Sequence, residues 1–138
     1  MRNIFILLLL TPLLTACLGS SSADSSPDKP GKGFSESMRW SDFHGAAAYM
    51  TPSVRAAFLE QFQEDDDLHV VDSSVSNIDI GQDPKAVDAN YVMEYYHLPS
   101  SQIKKWRWKQ HWRVVQDKEG KSEAWLIDNK PPPLPWRE

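Results

Sequence analysis

The sequence predicts an α+β domain in which two N-terminal helices pack on a curved, mainly antiparallel four-stranded sheet. Three observations carry this expectation. Apolar residues recur at three- and four-residue spacing through residues 38–62, the period of a helix face. From residue 87 onward they recur at spacing two, the period of a strand with one face buried. Turn-forming clusters at 81–84, 98–101 and 117–121 then cut the second half into separate strands. Helices followed by a run of strands make a layered α+β arrangement rather than alternating crossover units.

The first helix is expected over residues 38–50, where Trp40, Phe43, Ala47 and Met50 lie on one face and Gly45 weakens the run. Thr51-Pro52 restarts the helix, because threonine suits the N-cap and proline the first helical position. Val54, Phe58 and Phe62 continue it as an apolar stripe. Glu64-Asp65-Asp66-Asp67 stops it, since negative charge opposes the C-terminal end of the helix dipole. Residues 68–71 and 75–80 are β-branched-rich strand segments, with Asp72-Ser73-Ser74 as a bulge or bend between them. In the next strand Val87, Ala89, Tyr91, Met93 and Tyr95 share one face, while Asp88, Asn90, Glu94 and Tyr96 share the other with Val92 as its apolar exception. A long strand over 103–115 and a short one over 123–127 complete the sheet.

Ahead of this domain, residues 4–14 form an apolar run interrupted only by Thr11 and Pro12, behind the single cation Arg2. Such a run is too short to span a bilayer, which takes about 20 residues, and it has the layout of an export signal. Leu14-Thr15-Ala16-Cys17 follows directly and resembles the lipobox of bacterial lipoproteins. The resemblance implies cleavage before Cys17 and lipid on its thiol. Residues 19–33 are rich in Ser, Asp, Pro, Lys and Gly, a composition that cannot bury enough surface to order itself. The expected organisation is therefore a signal peptide over 1–16, a lipidated cysteine and tether over 17–37, and one domain with a Pro-rich tail over 38–138. By the same resemblance Leu18, in the place of a retention-directing Asp, points to the outer membrane, periplasmic face. Cys17 is the only cysteine, so the domain has no intramolecular disulfide to lean on. A net charge of −4 gives no reason to expect nucleic acid as a partner.

Tyr49-Met50-Thr51-Pro52-Ser53-Val54-Arg55, Lys109-Gln110-His111-Trp112-Arg113-Val114-Val115 and Trp125-Leu126-Ile127-Asp128 resemble segments of small bacterial lipoproteins of the nuclear-transport-factor-2-like, or cystatin-like cone, superfamily. The resemblance covers roughly residues 38–130. It implies a cone with a mouth at one end, which is a ligand pocket in some relatives and an enzyme site in others. Enzymes of that superfamily commonly place a His–Asp pair or a carboxylate in the cone.

Strand period two sends Trp106, Trp108, Trp112 and Val114 to one side, and Lys105, Arg107, Lys109, His111 and Arg113 to the other. The indoles are expected to fill the core. The basic stripe is either a recognition face for an anionic partner or a solvated face paired with carboxylates such as Glu94 and Glu123. Of His44, His69, His97 and His111, His97 continues the Tyr91–Tyr95 face, which makes Tyr91, Tyr95 and His97 the candidate pocket. The acidic run at 64–67 is expected to be a solvated helix end rather than a metal site, since a calcium loop alternates its ligands around a glycine turn. No nucleophile elbow, phosphate loop or zinc-ligand spacing is present, and no metal or cofactor is expected. Lys130-Pro131-Pro132-Pro133-Leu134-Pro135-Trp136 is either a docking peptide for another protein or a strap folded over the sheet.

The leading expectation is a membrane-anchored, non-catalytic envelope protein that binds a protein partner as a scaffold module. The alternative is a small-ligand-binding or enzymatic cone using the pocket near Tyr91, Tyr95 and His97. The anchor has a direct test. Labelled palmitate should enter the wild-type protein and not Cys17→Ser, and equal labelling of the two would contradict the lipobox reading.

Overall fold

A computed structural model describes residues 26–137; Cys17, the apolar run before it and the first part of the tether lie outside the described residues. Three helices, α1 (Asp28–Arg39), α2 (Phe43–Ala47) and α3 (Pro52–Phe62), precede four strands, β1 (Leu68–Ile80), β2 (Ala86–His97), β3 (Lys104–Gln116) and β4 (Glu123–Ile127). The strands pair in sequence order, every neighbour antiparallel, and the sheet curls into a half-barrel around the helices. The predicted α+β class is the observed one.

The first helix departs from expectation. Residues 28–37, tether by composition, form most of α1. Gly31, Phe34, Ser35 and Met38 are its buried positions, spaced as one helical face. Two of the four are small polar-type residues, so the face is nearly invisible to composition. Smallness serves a purpose here. A β-carbon at Gly33 would collide with the Tyr49 phenol, and one at Gly31 would already touch Val75. The helix therefore approaches its neighbours closely. Asp28 in the first turn and Arg39 in the last suit the helix dipole.

What was expected as one helix over 38–50 is a break and a short second helix. Ser41 takes a left-handed φ of 56°, and the Asp42 side chain accepts a hydrogen bond from the Gly45 backbone N–H at 2.8 Å to cap α2. Trp40, expected on the buried face, lands in the break and is 75 % exposed. Pro52 occupies the first position of α3 as predicted, and Val54, Phe58 and Phe62 are buried. Thr51 does not cap with its hydroxyl. Its backbone N–H goes to the Ile127 carbonyl at 3.0 Å, and Ile127 N–H goes to the Tyr49 carbonyl at 2.8 Å, which ties the helix junction to β4.

In the sheet, Val87, Ala89, Tyr91, Met93 and Tyr95 of β2 and Trp106, Trp108 and Trp112 of β3 all face the core. The register sets Tyr91 opposite Trp108, Met93 opposite Trp106 and Val87 opposite Trp112. Gln110 shares the buried face, and its Oε1 accepts the Trp112 indole N–H at 3.0 Å. β1 is one continuous strand whose two register shifts, between Val70 and Asp72 and between Ser76 and Asp79, bend it around α1. Phe34 lies at the centre. Its ring is edge-on to those of Tyr91 (5.0 Å between centroids), Trp108 (6.2 Å) and Trp112 (6.3 Å). The interior of the half-barrel is filled with rings.

Candidate functional site

With the middle of the half-barrel filled, polar side chains gather at the end where β2 runs out and β1 begins. Leu68 pairs with His97 across these two strands. Glu64, just past α3, has a left-handed φ of 57° and turns the chain so that Asp65 comes back over this end. The Asp65 side chain is only 9 % exposed. Its Oδ1 lies 3.1 Å from His97 Nε2, and its Oδ2 accepts the Trp136 indole N–H at 2.7 Å. The Trp136 ring packs against Tyr95 (4.6 Å between centroids) and His97 (5.1 Å). Arg137 reaches to 3.8 Å from Asp65 Oδ2 and donates to the Gln63 carbonyl at 2.9 Å. Asp65 thus joins the end of α3, the end of β2 and the C-terminal tail.

Two clefts flank this carboxylate. A small one of about 60 Å³ lies between His97, Ser100, Gln102, Lys104 and Trp136. A wider, shallower one of about 560 Å³ runs between the turn before α2 and the α3–β1 loop, with Phe43, His44, Phe62 and Asp65 among its walls. Burial alone pushes the Asp65 carboxyl up, but the hydrogen bonds from Trp136 and His97 and the nearby positive charge outweigh it and hold the group below the usual carboxylate range. In the tautomer that gives its Nε2–H to Asp65, the His97 ring keeps Nδ1 as an acceptor for a ligand. A carboxylate that orients a histidine in this way can position it to bind, or to take a proton from, a molecule in the mouth.

The candidate pocket divides. Tyr95 and His97 sit together at the mouth. Tyr91 does not join them: it is fully buried beneath Phe34 and Trp106, and its hydroxyl shares a hydrogen bond with Ser73 at 2.8 Å. Burial holds its phenol far above the ordinary tyrosine value, so it is a core residue. Asp65 was missed because all four residues of the acidic run look alike in sequence. Only the turn at Glu64 singles one out. The tail was the available signal, since a Trp next to a Pro-rich segment that folds back needs an apolar seat and an acceptor for its N–H.

The basic stripe is largely matched by carboxylates. Lys105 pairs with Glu94 at 2.8 Å, Lys109 and His111 share Asp88 at 3.1 and 2.8 Å, and Arg113 meets Asp128 at 2.9 Å. Hydrogen bonds from His111 and then Lys109 hold Asp88 below its usual range. Glu123, expected opposite the stripe, instead faces Lys85 at 3.9 Å. Arg107 stands opposite Val92. These pairs are solvent-exposed, where each contributes little to stability, and they cancel much of the field an anionic partner would meet. The tail folds back on the domain: Leu134 is buried and the Trp106 indole N–H donates to the Pro133 carbonyl at 3.3 Å. Among the described residues no group of three His, Cys, Asp or Glu is placed to hold a metal ion.

The depressed Asp65 gives a pH prediction. A carboxylate with a lowered folded-state pKa stabilises the fold above its unfolded value, about 3.9, and loses that contribution as pH falls through the folded value. Asp65→Asn should therefore melt below wild type at neutral pH, with the gap closing as pH falls below the ordinary carboxylate range. Thermal melts of both proteins from neutral to acid pH check this. A gap that stays constant with pH would contradict it.

No protein-family model matches the chain, and no curated protein matches it either. A crystal structure at 1.50 Å of a Xanthomonas campestris pv. campestris protein named as a polyketide cyclase is similar at 16 % identity, with 72 % of this chain and 86 % of that chain covered and a TM-score of 0.37. The expectation that the domain is no enzyme is corrected by this finding and withdrawn, because the solved structure it is similar to bears an enzyme's name. A likeness of this extent transfers neither reaction nor substrate. The three helices on a curled antiparallel sheet are compatible with the nuclear-transport-factor-2-like cone that the sequence motifs resemble.

Proposed function

We propose that this chain is a lipid-anchored envelope protein whose domain binds a small ligand at the mouth of the half-barrel, around Asp65, Tyr95, His97 and Lys104. The observation that carries this reading is the Asp65–His97 pair, set 3.1 Å apart beside an aromatic wall at an end of the half-barrel where polar groups converge. Ligand sites combine apolar walls with a few fixed polar groups, and the mouth has both. The interior beyond it is occupied by Phe34, Tyr91, Trp106 and Trp108, so a ligand would sit at the rim. The scaffold reading has less behind it, because the basic stripe that was to recognise an acidic partner is mostly matched within the chain.

The anchor rests on the lipobox resemblance. Lipid on Cys17, in the outer membrane facing the periplasm, fits a domain that starts at Asp28. The ten residues between them reach at most about 35 Å, which would hold the domain near the bilayer. Stable attachment then requires more than one acyl chain, since a single chain binds a membrane only marginally.

Titrating the isotope-labelled protein with a panel of small neutral, anionic and cationic ring compounds tests the site. Ligands should shift the amide signals of Tyr95, His97 and Lys104, and His97→Ala should weaken them about tenfold or more. Shifts confined to the outer face of β3, or none at the mouth with any compound, would contradict the proposal.

A further inference from the structure

The mouth already holds an occupant, and that occupant belongs to the chain itself. Trp136 fills the space against Tyr95 and His97, and its indole N–H supplies Asp65 Oδ2 with a donor at 2.7 Å. The residues on either side of it differ in how firmly they are held. Leu134 is 1 % exposed, and the Pro133 carbonyl is fixed by the Trp106 indole N–H. Beyond Leu134, Pro135 and Arg137 are exposed and Trp136 is only partly buried. The strap is pinned at Leu134, and the tip beyond it, residues 135–137, is held through the Trp136 indole N–H on Asp65 and Arg137 on the Gln63 carbonyl. Pro131, Pro132, Pro133 and Pro135 stiffen the approach, so little chain entropy is lost when the tip docks.

We infer that the Trp136 tip is a tethered competitor for the mouth, and that the ligand replacing it is a flat aromatic ring carrying an N–H donor. This inference rests on the reading of the mouth as a ligand site. The chemistry follows from what the tip leaves behind when it swings out. The Tyr95 and His97 rings lose a flat partner, and the nearly buried Asp65 carboxylate loses a donor that its burial makes costly to leave missing. A ring without an N–H refills the slot but leaves Asp65 Oδ2 unsatisfied. A site built around a hydrogen bond discriminates strongly against the analogue that lacks the donor. Because the tip is attached, its effective concentration at the mouth is in the millimolar range, so a free ligand meets an apparent affinity weakened by that competition.

The test compares the full chain with a chain ending at Pro135, using indole and 1-methylindole as probes and the amide signals of Tyr95 and His97 as the readout. Indole should bind the shortened chain at least tenfold more tightly than the full chain, and at least tenfold more tightly than 1-methylindole binds the shortened chain. Equal indole affinity for both chains would overturn the competition while leaving the mouth as a ligand site. Equal affinity of the two probes would overturn the N–H donor requirement. Binding of neither probe at the mouth would overturn the inference, and the wider ligand panel then decides separately whether the site itself stands. Should the shortened chain fail to fold, the unaltered protein answers instead. Its Trp136 indole N–H signal, assigned by its loss in Trp136→Phe, should move to the position of a free indole as indole saturates the mouth; an unmoved signal at saturation would overturn the competition.

Discussion

The concave face of the sheet carries Trp106, Trp108, Trp112 and Tyr91 side by side, and covering that face governs the rest of the structure. Four large rings on one curved surface cannot be left to water without a large cost in apolar exposure. α1 covers them by inserting Phe34 among them, within ring-contact distance of Tyr49, Tyr91, Trp108, Trp112 and Phe58. The small residues Gly31, Gly33 and Ser35 let the helix come close enough to do so. With no disulfide available, this aromatic packing is the main source of stability for a domain of about a hundred residues. It also moves the functional question outward. A cone filled by its own rings has room for chemistry only where the filling ends.

At that end the polar groups hold one another in place. Asp65 accepts from the tail indole, lies against His97 and has Arg137 nearby, so a single carboxylate joins three parts of the chain that are far apart in sequence. The arrangement is stable because each buried polar atom of the carboxylate has a partner. It is also openable, because the donor sits past Leu134, where Pro135 and Arg137 are exposed and Trp136 is only partly buried, so the tip makes fewer buried contacts than the core. Local stability follows the number of such contacts, and the weakest part of a fold is where ligands usually gain entry.

How much of this was legible in the sequence depends on periodicity. β2 alternates cleanly, so its buried face was legible residue by residue; in β3 the three indoles were, while the buried Gln110 among them was not, and Val54, Phe58 and Phe62 identified α3. α1 was hidden because half its buried face is Gly31 and Ser35, which look like linker composition. The single helix expected over 38–50 failed at Ser41, whose left-handed backbone no periodicity records. His97 was found by counting along β2, and Tyr91 was grouped with it by the same count. Alternation gives the face of a residue but not its depth along the half-barrel. Asp65 and the partners of the basic stripe, Asp88 and Asp128, depend on turns and strand register, which only the folded chain supplies.

The central claim is that the aromatic interior is closed while the mouth opens locally, and indole hydrogen exchange tests it most directly. The Trp112 N–H, held by Gln110 inside the core, and the Trp136 N–H, held by Asp65 at the mouth, can be followed in the same sample. The account predicts that Trp112 exchanges only when the whole domain unfolds, and that Trp136 exchanges orders of magnitude faster through local opening of the tip. Exchange of both protons at one rate, governed by global unfolding, would contradict it.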